Sequence, residues 1–412
     1  MEGMQAFCGI DWAEDHHDVA VIDADGHLLS RARIGNDPAG LQRLLQLLSD
    51  AGDTPEQPIP VAIETARGLL VACLRATGRP VYAINPVAVA RYRERHTVAR
   101  SKSDQRDALV LAHILRTDAA AHRPLPADSE RAQAITVLAR GQQDAVWACQ
   151  QLANQLRTVL LAFFPAAVAV FCVKHVGLTS REARTVLAAA PTPTRAATLT
   201  RAQLRALLRR TGRQRNLDQW VQRLQAAFRA EQLHQPPLVE QAMGQHTAAL
   251  VAQLSAACRA AEQLAEATTT TFRRHPDAWI ITSLPGLGEL TGARMLAETG
   301  DDCARFADAR ALKAYAGAAP VTRASGKRRF VMARKVKNQR LASVGYVWAF
   351  AALTASPGAR AHYDRRRAAG DWHPAAQRHL FNRLLGVLHH CRTTRQVYAE
   401  DKAFPTAQPA TA

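Results

Sequence analysis

Apolar positions in the first 115 residues fall into short runs with two different periods. Phe7–Asp11, Asp18–Asp23 and Leu28–Ile34 read as three successive strands, with Asp25-Gly26 turning the chain between the second and third. A helical period follows over Pro38–Leu48. Then come a strand at Val61–Glu64, a helix at Leu69–Ala76, a strand at Pro80–Asn85, a helix at Pro86–Tyr92 and a helix opening at Asp104. Two of the strands share a peculiarity. Phe7-Cys8-Gly9-Ile10-Asp11 and Pro60-Val61-Ala62-Ile63-Glu64 are apolar until a carboxylate ends each run.

Three strands, then helix, strand, helix, strand, helix is the element order of the ribonuclease H-like α/β fold. In that order the first and fourth strands are neighbours, about 4.8 Å apart, and Asp11 and Glu64 meet at one sheet edge. From about Asp128 to His275 the strand period disappears. Alanine, leucine, glutamine and arginine take a helical period with heptad-like stretches such as Leu250–Ala265, the pattern of a coiled coil or bundle for spacing or dimerisation. Thr179 with Glu182 and Thr200 with Gln203 have capping-box spacing, and Pro191 and Pro193 break the helices between them. A mainly helical third segment begins near Ala278. In it, Leu284-Pro285-Gly286-Leu287-Gly288-Glu289 has the form of a helix-hairpin-helix turn, whose amides face a nucleic-acid phosphate. The expected division is 1–127, 128–275, 276–404 and a loose tail, 405–412.

Net charge changes the picture. Formal charge is +18 and the sequence pI is near 10.4, with arginine far ahead of lysine. A GC-rich genome explains the choice of arginine but not the sign, which points to a polyanionic partner. Between Asp308 and Asp364 no acidic residue occurs, and Arg323, Lys327, Arg328, Arg329, Arg334, Lys335, Lys337 and Arg340 lie in that gap. With Gly286 and Gly288 these are the candidate nucleic-acid contacts. The seven cysteines are scattered, odd in number and never at metal-ligand spacing, which fits small core residues in a reducing cytoplasm. No secretion signal is expected from the amino terminus. The apolar run Val159 to Val173 is short for a bilayer and contains Pro165, so it reads as two buried segments around a proline break.

The candidate chemistry lies in four carboxylates. Asp104 and Asp107, three residues apart in Lys102-Ser103-Asp104-Gln105-Arg106-Asp107, share one helical face. An acidic first turn that complements the helix dipole accounts for either one, but not for their coincidence with Asp11 and Glu64. Carboxylates at two strand ends and a helix start suit hard divalent cations. Two such ions about 4 Å apart would serve a phosphodiester exchange. Asp15, Asp18 and Asp23 read as surface or turn residues. His16 and His17 point to opposite faces of an extended chain.

These residues resemble the DEDD-type transposases of the insertion-sequence 110 family, the bridge-RNA-guided recombinases. The resemblance rests on Gly9-Ile10-Asp11-Trp12 with Glu64-Thr65, on Lys102–Ala108, and on a carboxy-terminal block. That block runs Leu284–Gly288, Tyr315-Ala316-Gly317-Ala318-Ala319-Pro320, Ser325-Gly326-Lys327 and Asn338-Gln339-Arg340-Leu341. Lys337 and Ala342 stand where many members carry glycine and arginine. The resemblance implies a RuvC-like domain, a coiled-coil linker and a transposase domain. It implies that Asp11, Glu64, Asp104 and Asp107 bind magnesium, with manganese able to replace it, and that Ser325 is the nucleophile. It further implies a structured guide RNA that pairs with donor and target DNA, a dimer-to-tetramer assembly, and a cytoplasmic, nucleoid-associated prokaryotic enzyme with no membrane partner. From the residues alone, the stronger reading of Ser325 is a turn residue beside Gly326 that bonds a phosphate; the resemblance is what favours the nucleophile. Two alternatives stand beside the recombinase: an endonuclease of the Holliday-junction type that activates water with the same acids, and a non-catalytic nucleic-acid-binding protein of a decayed mobile element.

Overall fold

The computed structural model describes residues 6–96, 104–172, 177–326 and 328–405, although the side chains of His96, Asp104 and Gln105 lie outside the description. The chain divides into two compact units, Met1–Ala127 and Asp128–Ala412.

The first unit is a mixed five-stranded sheet with helices on both faces. Its elements are β1 (Phe7–Trp12), β2 (His16–Ile22), β3 (Leu28–Gly35), α1 (Pro38–Asp50), β4 (Val61–Ile63), α2 (Leu69–Ala76), β5 (Val81–Ala83), α3 (Pro86–His96) and α4 (Asp104–Asp118). Strand order is β3-β2-β1-β4-β5. β1 runs antiparallel to β2 and parallel to β4, with Ile10 opposite Ile63. The first and fourth strands are therefore neighbours, as the element order required. Side-chain alternation sorts the core into two layers. Cys8, Ile10, Val19, Val21, Val61 and Ile63 pack with α1 and α2, whereas Phe7, Ile22 and Ala62 pack with Leu111, Ala112 and Leu115 of α4. Burial pushes the Cys8 thiol up to about 12, as suits a small core residue. All seven cysteines are free.

The second unit is built on two long helices, α5 (Glu130–Phe163) and α11 (Pro237–Arg273). They are antiparallel: Arg131 near the start of α5 donates to the Arg274 carbonyl, and Gln235 before α11 donates to the Ala162 carbonyl. Buried positions on α11 recur at Leu250, Leu254, Cys258 and Ala261, the spacing of a heptad seam, here closed within one chain. Between them run α6 (Pro165–Phe171), α7 (Arg181–Ala189), α8 (Pro193–Ala197), α9 (Arg201–Arg210) and α10 (Leu217–Arg229). Pro165 and Pro193 each begin a helix, as proline does at a first turn. Thr200 and Gln203 form the full capping box at α9. At α7 the expectation needs correcting. Ser180, not Thr179, caps the helix by accepting from the Ala183 amide, and Glu182 turns instead to Arg213 at 2.8 Å. Both Thr179 and Ser180 can cap, and the arginine removes the glutamate that would have favoured the earlier one.

The remainder comprises α12 (Ala278–Ser283), α13 (Glu289–Thr299), α14 (Ala309–Tyr315), β6 (Val321–Ser325), β7 (Arg328–Met332), α15 (Gln339–Ala355), α16 (Pro357–Ala368), α17 (His373–Thr394) and α18 (Glu400–Ala403). Its core is continuous with Ile135 and Ala139 of α5 and Phe272 of α11. The antiparallel hairpin β6–β7 interrupts a segment that sequence periodicity reads as helical. No helix among the described residues is long and apolar enough to cross a membrane.

Candidate active site

Asp11 ends the buried part of β1, and Glu64 follows the last residue of β4. Ile10 and Ile63 are partners across the parallel pair, so the two carboxylates sit at equivalent positions on adjacent strands. Asp11 belongs to the layer that faces α4, because Phe7 and Gly9 on the same alternating face do, and Glu64 leaves β4 directly beside it. Gly9 is what brings that helix close. A β-carbon there would lie 2.0 Å from the Ala108 carbonyl oxygen and 2.5 Å from the Ala112 amide nitrogen. The backbone of α4 thus rests directly on β1. Asp107, adjacent to Ala108, is buried in the first turn and accepts a 2.5 Å hydrogen bond from Arg93 of α3. Asp104 begins the same helix; its side chain lies outside the described residues. The structure brings Asp11 and Glu64 to the ends of neighbouring strands and seats the helix that carries Asp107 against β1.

It adds a residue that the sequence reading misplaced. Asp18 is not a surface or turn residue. It is 2% exposed, lies opposite Asp11 across β1–β2 and faces the same side. Like charges directly opposite on a sheet repel, and Arg33 of β3 relieves this with bonds of 3.2 and 2.8 Å to the two Asp18 oxygens. The alternation of β2 held a signal for this, since Asp18 shares a register face with Ala20 and Ile22. Asp23, by contrast, is the turn residue expected: its Oδ1 accepts from the Gly26 and His27 amides. Asp23, Asp25 and His27 are the three such groups that, among the described residues, come within 4.8 Å of one another. They are a loop cluster at the β2–β3 turn. His17 is buried and stacks on Trp12 with ring centroids 6.4 Å apart.

Ser325 is the last residue of β6, exposed at the end of the hairpin and paired across it with Arg328. Lys327 lies outside the described residues. Arg323, Arg328 and Arg329 are exposed on the hairpin, and Lys335 is exposed beyond it. Arg340 is committed elsewhere: it pairs with Asp144 at 2.7 Å and stacks over Trp147 of α5. Lys337 lays its stem over Gly317, where φ is +72° and a β-carbon would meet the lysine Cδ at 2.3 Å. Gly286 has the same kind of reason. It holds φ +81° and approaches α15 so closely that a β-carbon would lie 2.6 Å from the Ala352 amide, while Trp348 donates to the Pro285 carbonyl at 2.9 Å. Gly288 leaves open space at the start of α13, beside the exposed pair Glu289–Arg273.

Two family models match these regions. One, described as transposase, covers residues 8–165; the other, described as the transposase IS116/IS110/IS902 family, covers 278–364. The chain is 60% identical to the mini-circle IS117 protein of Streptomyces coelicolor, over 98% of this chain and 97% of that one. It is 30% identical to the 42 kDa protein of insertion element IS900 of Mycobacterium paratuberculosis, over 93% and 94%. It is also 30% identical to the 44.8 kDa protein of insertion element IS116 of Streptomyces clavuligerus, over 92% of each. With the sheet-edge carboxylates and the hairpin serine inside the matched segments, the chain belongs to the IS116/IS110/IS902 family of transposases, enzymes that act on DNA.

Proposed function

We propose that this transposase cuts and rejoins the DNA of its own insertion sequence through a covalent phosphoserine, under the guidance of a structured RNA. The observation that carries the reading is that Asp11 and Glu64 end adjacent parallel strands of the mixed sheet while the helix that carries buried Asp107 rests on β1. Asp11, Glu64, Asp104 and Asp107 are the residues we assign to a divalent ion, with magnesium the expected species. An all-carboxylate set suits a hard cation; Arg93 already supplies a counter-charge at Asp107, which an ion would have to share. A bound ion would polarise phosphoryl oxygens and lower the pKa of a hydroxyl.

The protein's own groups account for the rest of the reaction. The Ser325 Oγ attacks phosphorus, its proton leaves to solvent or a base, and a deoxyribose oxygen departs with the electron pair. The phosphoserine conserves the bond energy until a DNA hydroxyl displaces the serine. Arg328, opposite Ser325, is placed to neutralise the phosphate. The backbone amides that open α13 and the basic residues Arg323, Arg334 and Lys335 are assigned to the polyanion in the same way, and the α5–α11 seam to a spacer within a dimer or tetramer.

Purified protein incubated with DNA carrying the ends of the element should yield an SDS-resistant protein–DNA adduct. Ser325→Ala should abolish it with DNA binding retained. Cleavage without adduct would favour the water-activating endonuclease, and binding without cleavage the decayed binder. RNA copurified with the protein should contain loops complementary to the element's flanks and insertion site.

The role of Arg93 gives a second expectation. In EDTA, Arg93→Gln should destabilise the first unit by about 1.5 kcal/mol, the usual worth of a hydrogen bond to a charged group. Magnesium should restore more of the melting temperature in the variant than in the parent. Equal magnesium responses would sink the assignment of Asp107 as a ligand.

A further inference from the structure

The hairpin that carries Ser325 has two unlike faces, and the register decides which residue lies on which. Residues opposite one another in an antiparallel pair point to the same side, and neighbours along a strand alternate. Ser325 is opposite Arg328, Arg323 is opposite Phe330, and Val321 is opposite Met332, so these share one face. Ala324 with Arg329, and Thr322 with Val331, form the other. Among the described residues the two strands pair only with each other, and every residue in them except Val321 is exposed. A two-stranded ribbon left uncovered is marginally stable in water, yet this one presents Phe330 with 57% of its surface in solvent.

A solvent-facing ring between two arginines is the combination that takes a nucleotide: the ring stacks on a base, and the guanidinium groups bind phosphates. The charge pattern also argues against a second copy of the same face as the occupant. No carboxylate occurs from residue 309 to 363, so two such faces would oppose arginine to arginine.

We propose that the Ser325 face of the hairpin holds an unpaired DNA nucleotide beside the phosphate under attack. Arg323 and Arg328 grip the phosphates, Phe330 stacks on the base, and Arg329 lies outside the contact. The proposal rests on the reading of Ser325 as nucleophile. It adds that the strand is unpaired and unstacked there, because a base stacked within a duplex hides its face from an aromatic ring. It also separates Arg328 from Arg329, which adjacency in sequence makes equivalent.

The test uses the full chain with a fluorescein-labelled 20-mer of oligodeoxythymidine and a 20-base-pair duplex, read by anisotropy. Phe330→Ala should weaken single-strand binding about tenfold, within the range of one lost base stack, and leave duplex binding nearly unchanged. Phe330→Tyr should retain it. Arg323→Ala and Arg328→Ala should weaken both probes, each more than Arg329→Ala does. An iododeoxyuridine-substituted strand should crosslink to the peptide containing Phe330. Equal losses on both probes for Phe330→Ala, or Arg329→Ala as costly as Arg328→Ala, would overturn the proposal. So would an effect confined to oligouridine RNA, which reassigns the face to a guide. A changed oligomeric state of Phe330→Ala by light scattering would make the face a protein interface instead. None of these readouts needs cleavage, so they stand apart from the adduct experiment on Ser325.

Discussion

Alanine in place of Gly9 is expected to abolish strand cleavage and to destabilise the first unit by about 3 kcal/mol, the upper end for overpacking a core. The added carbon would fall 2.0 Å from the Ala108 carbonyl oxygen, 2.5 Å from the Ala112 amide nitrogen and 3.0 Å from Leu111 Cβ. Two of these neighbours are backbone atoms of a helix, which cannot rotate aside as a side chain would. Either α4 lifts from the sheet or β1 bends away from it. Both movements separate Asp107 from the strand ends that hold Asp11 and Glu64. Asp11→Asn makes the useful comparison, since it removes one carboxylate while leaving α4 seated. Urea unfolding of the two variants, with cleavage measured on the same DNA, would divide the effects. A Gly9→Ala protein that unfolds and cleaves like the parent would show that the approach of α4 to β1 does not govern the site.

Loss of the Glu298 carboxylate should cost the second unit about 3 kcal/mol, the lower end for breaking a buried ion pair, because Arg140 keeps a quarter of its side chain in solvent. Glu298 is 3% exposed on α13. It accepts from Arg140 of α5 at 2.8 and 2.9 Å, and from the Asn338 side-chain amide at 2.7 Å. These bonds hold the Arg140 guanidinium above its ordinary pKa, so it stays charged. Asn338 in turn caps α15 through the Leu341 amide and bonds the Tyr315 hydroxyl at 2.8 Å. Glu298→Ala would leave the half-buried Arg140 and Asn338 donors without their shared acceptor. It would also loosen the return of the chain from β7 into α15, on which the position of the Ser325 hairpin depends. Replacing both partners, as in Arg140→Met with Glu298→Leu, should recover much of the loss in urea unfolding. If the double variant were no more stable than Glu298→Ala, the stranded charge would not be the cause.

Most of the first unit was legible because its physics is local. A buried strand shows as an apolar run, and the residue that ends the run is where the strand leaves the core. That is why Asp11 and Glu64 stood out and why the order of elements made β1 and β4 neighbours. The face of Asp18 was legible in the alternation of β2, but its neutralising partner, Arg33, was not, being 15 residues away on another strand. The hairpin was illegible for another reason: its strands bury neither face, so they lack the alternation by which a half-buried strand is recognised. Arg340 and Asn338 looked like members of a basic patch and a motif, whereas contacts to α5 and α13 give both a structural task.

By itself the sequence determined the family, the sheet with its edge carboxylates, and the helical remainder, since each is written in short-range periodicity or in contiguous motifs. Only the tertiary structure decided which acids acquire arginine partners, which glycines exist for close packing, and which arginines share the face of Ser325. These are properties of residues distant along the chain, set by register and helix seating rather than by any local pattern.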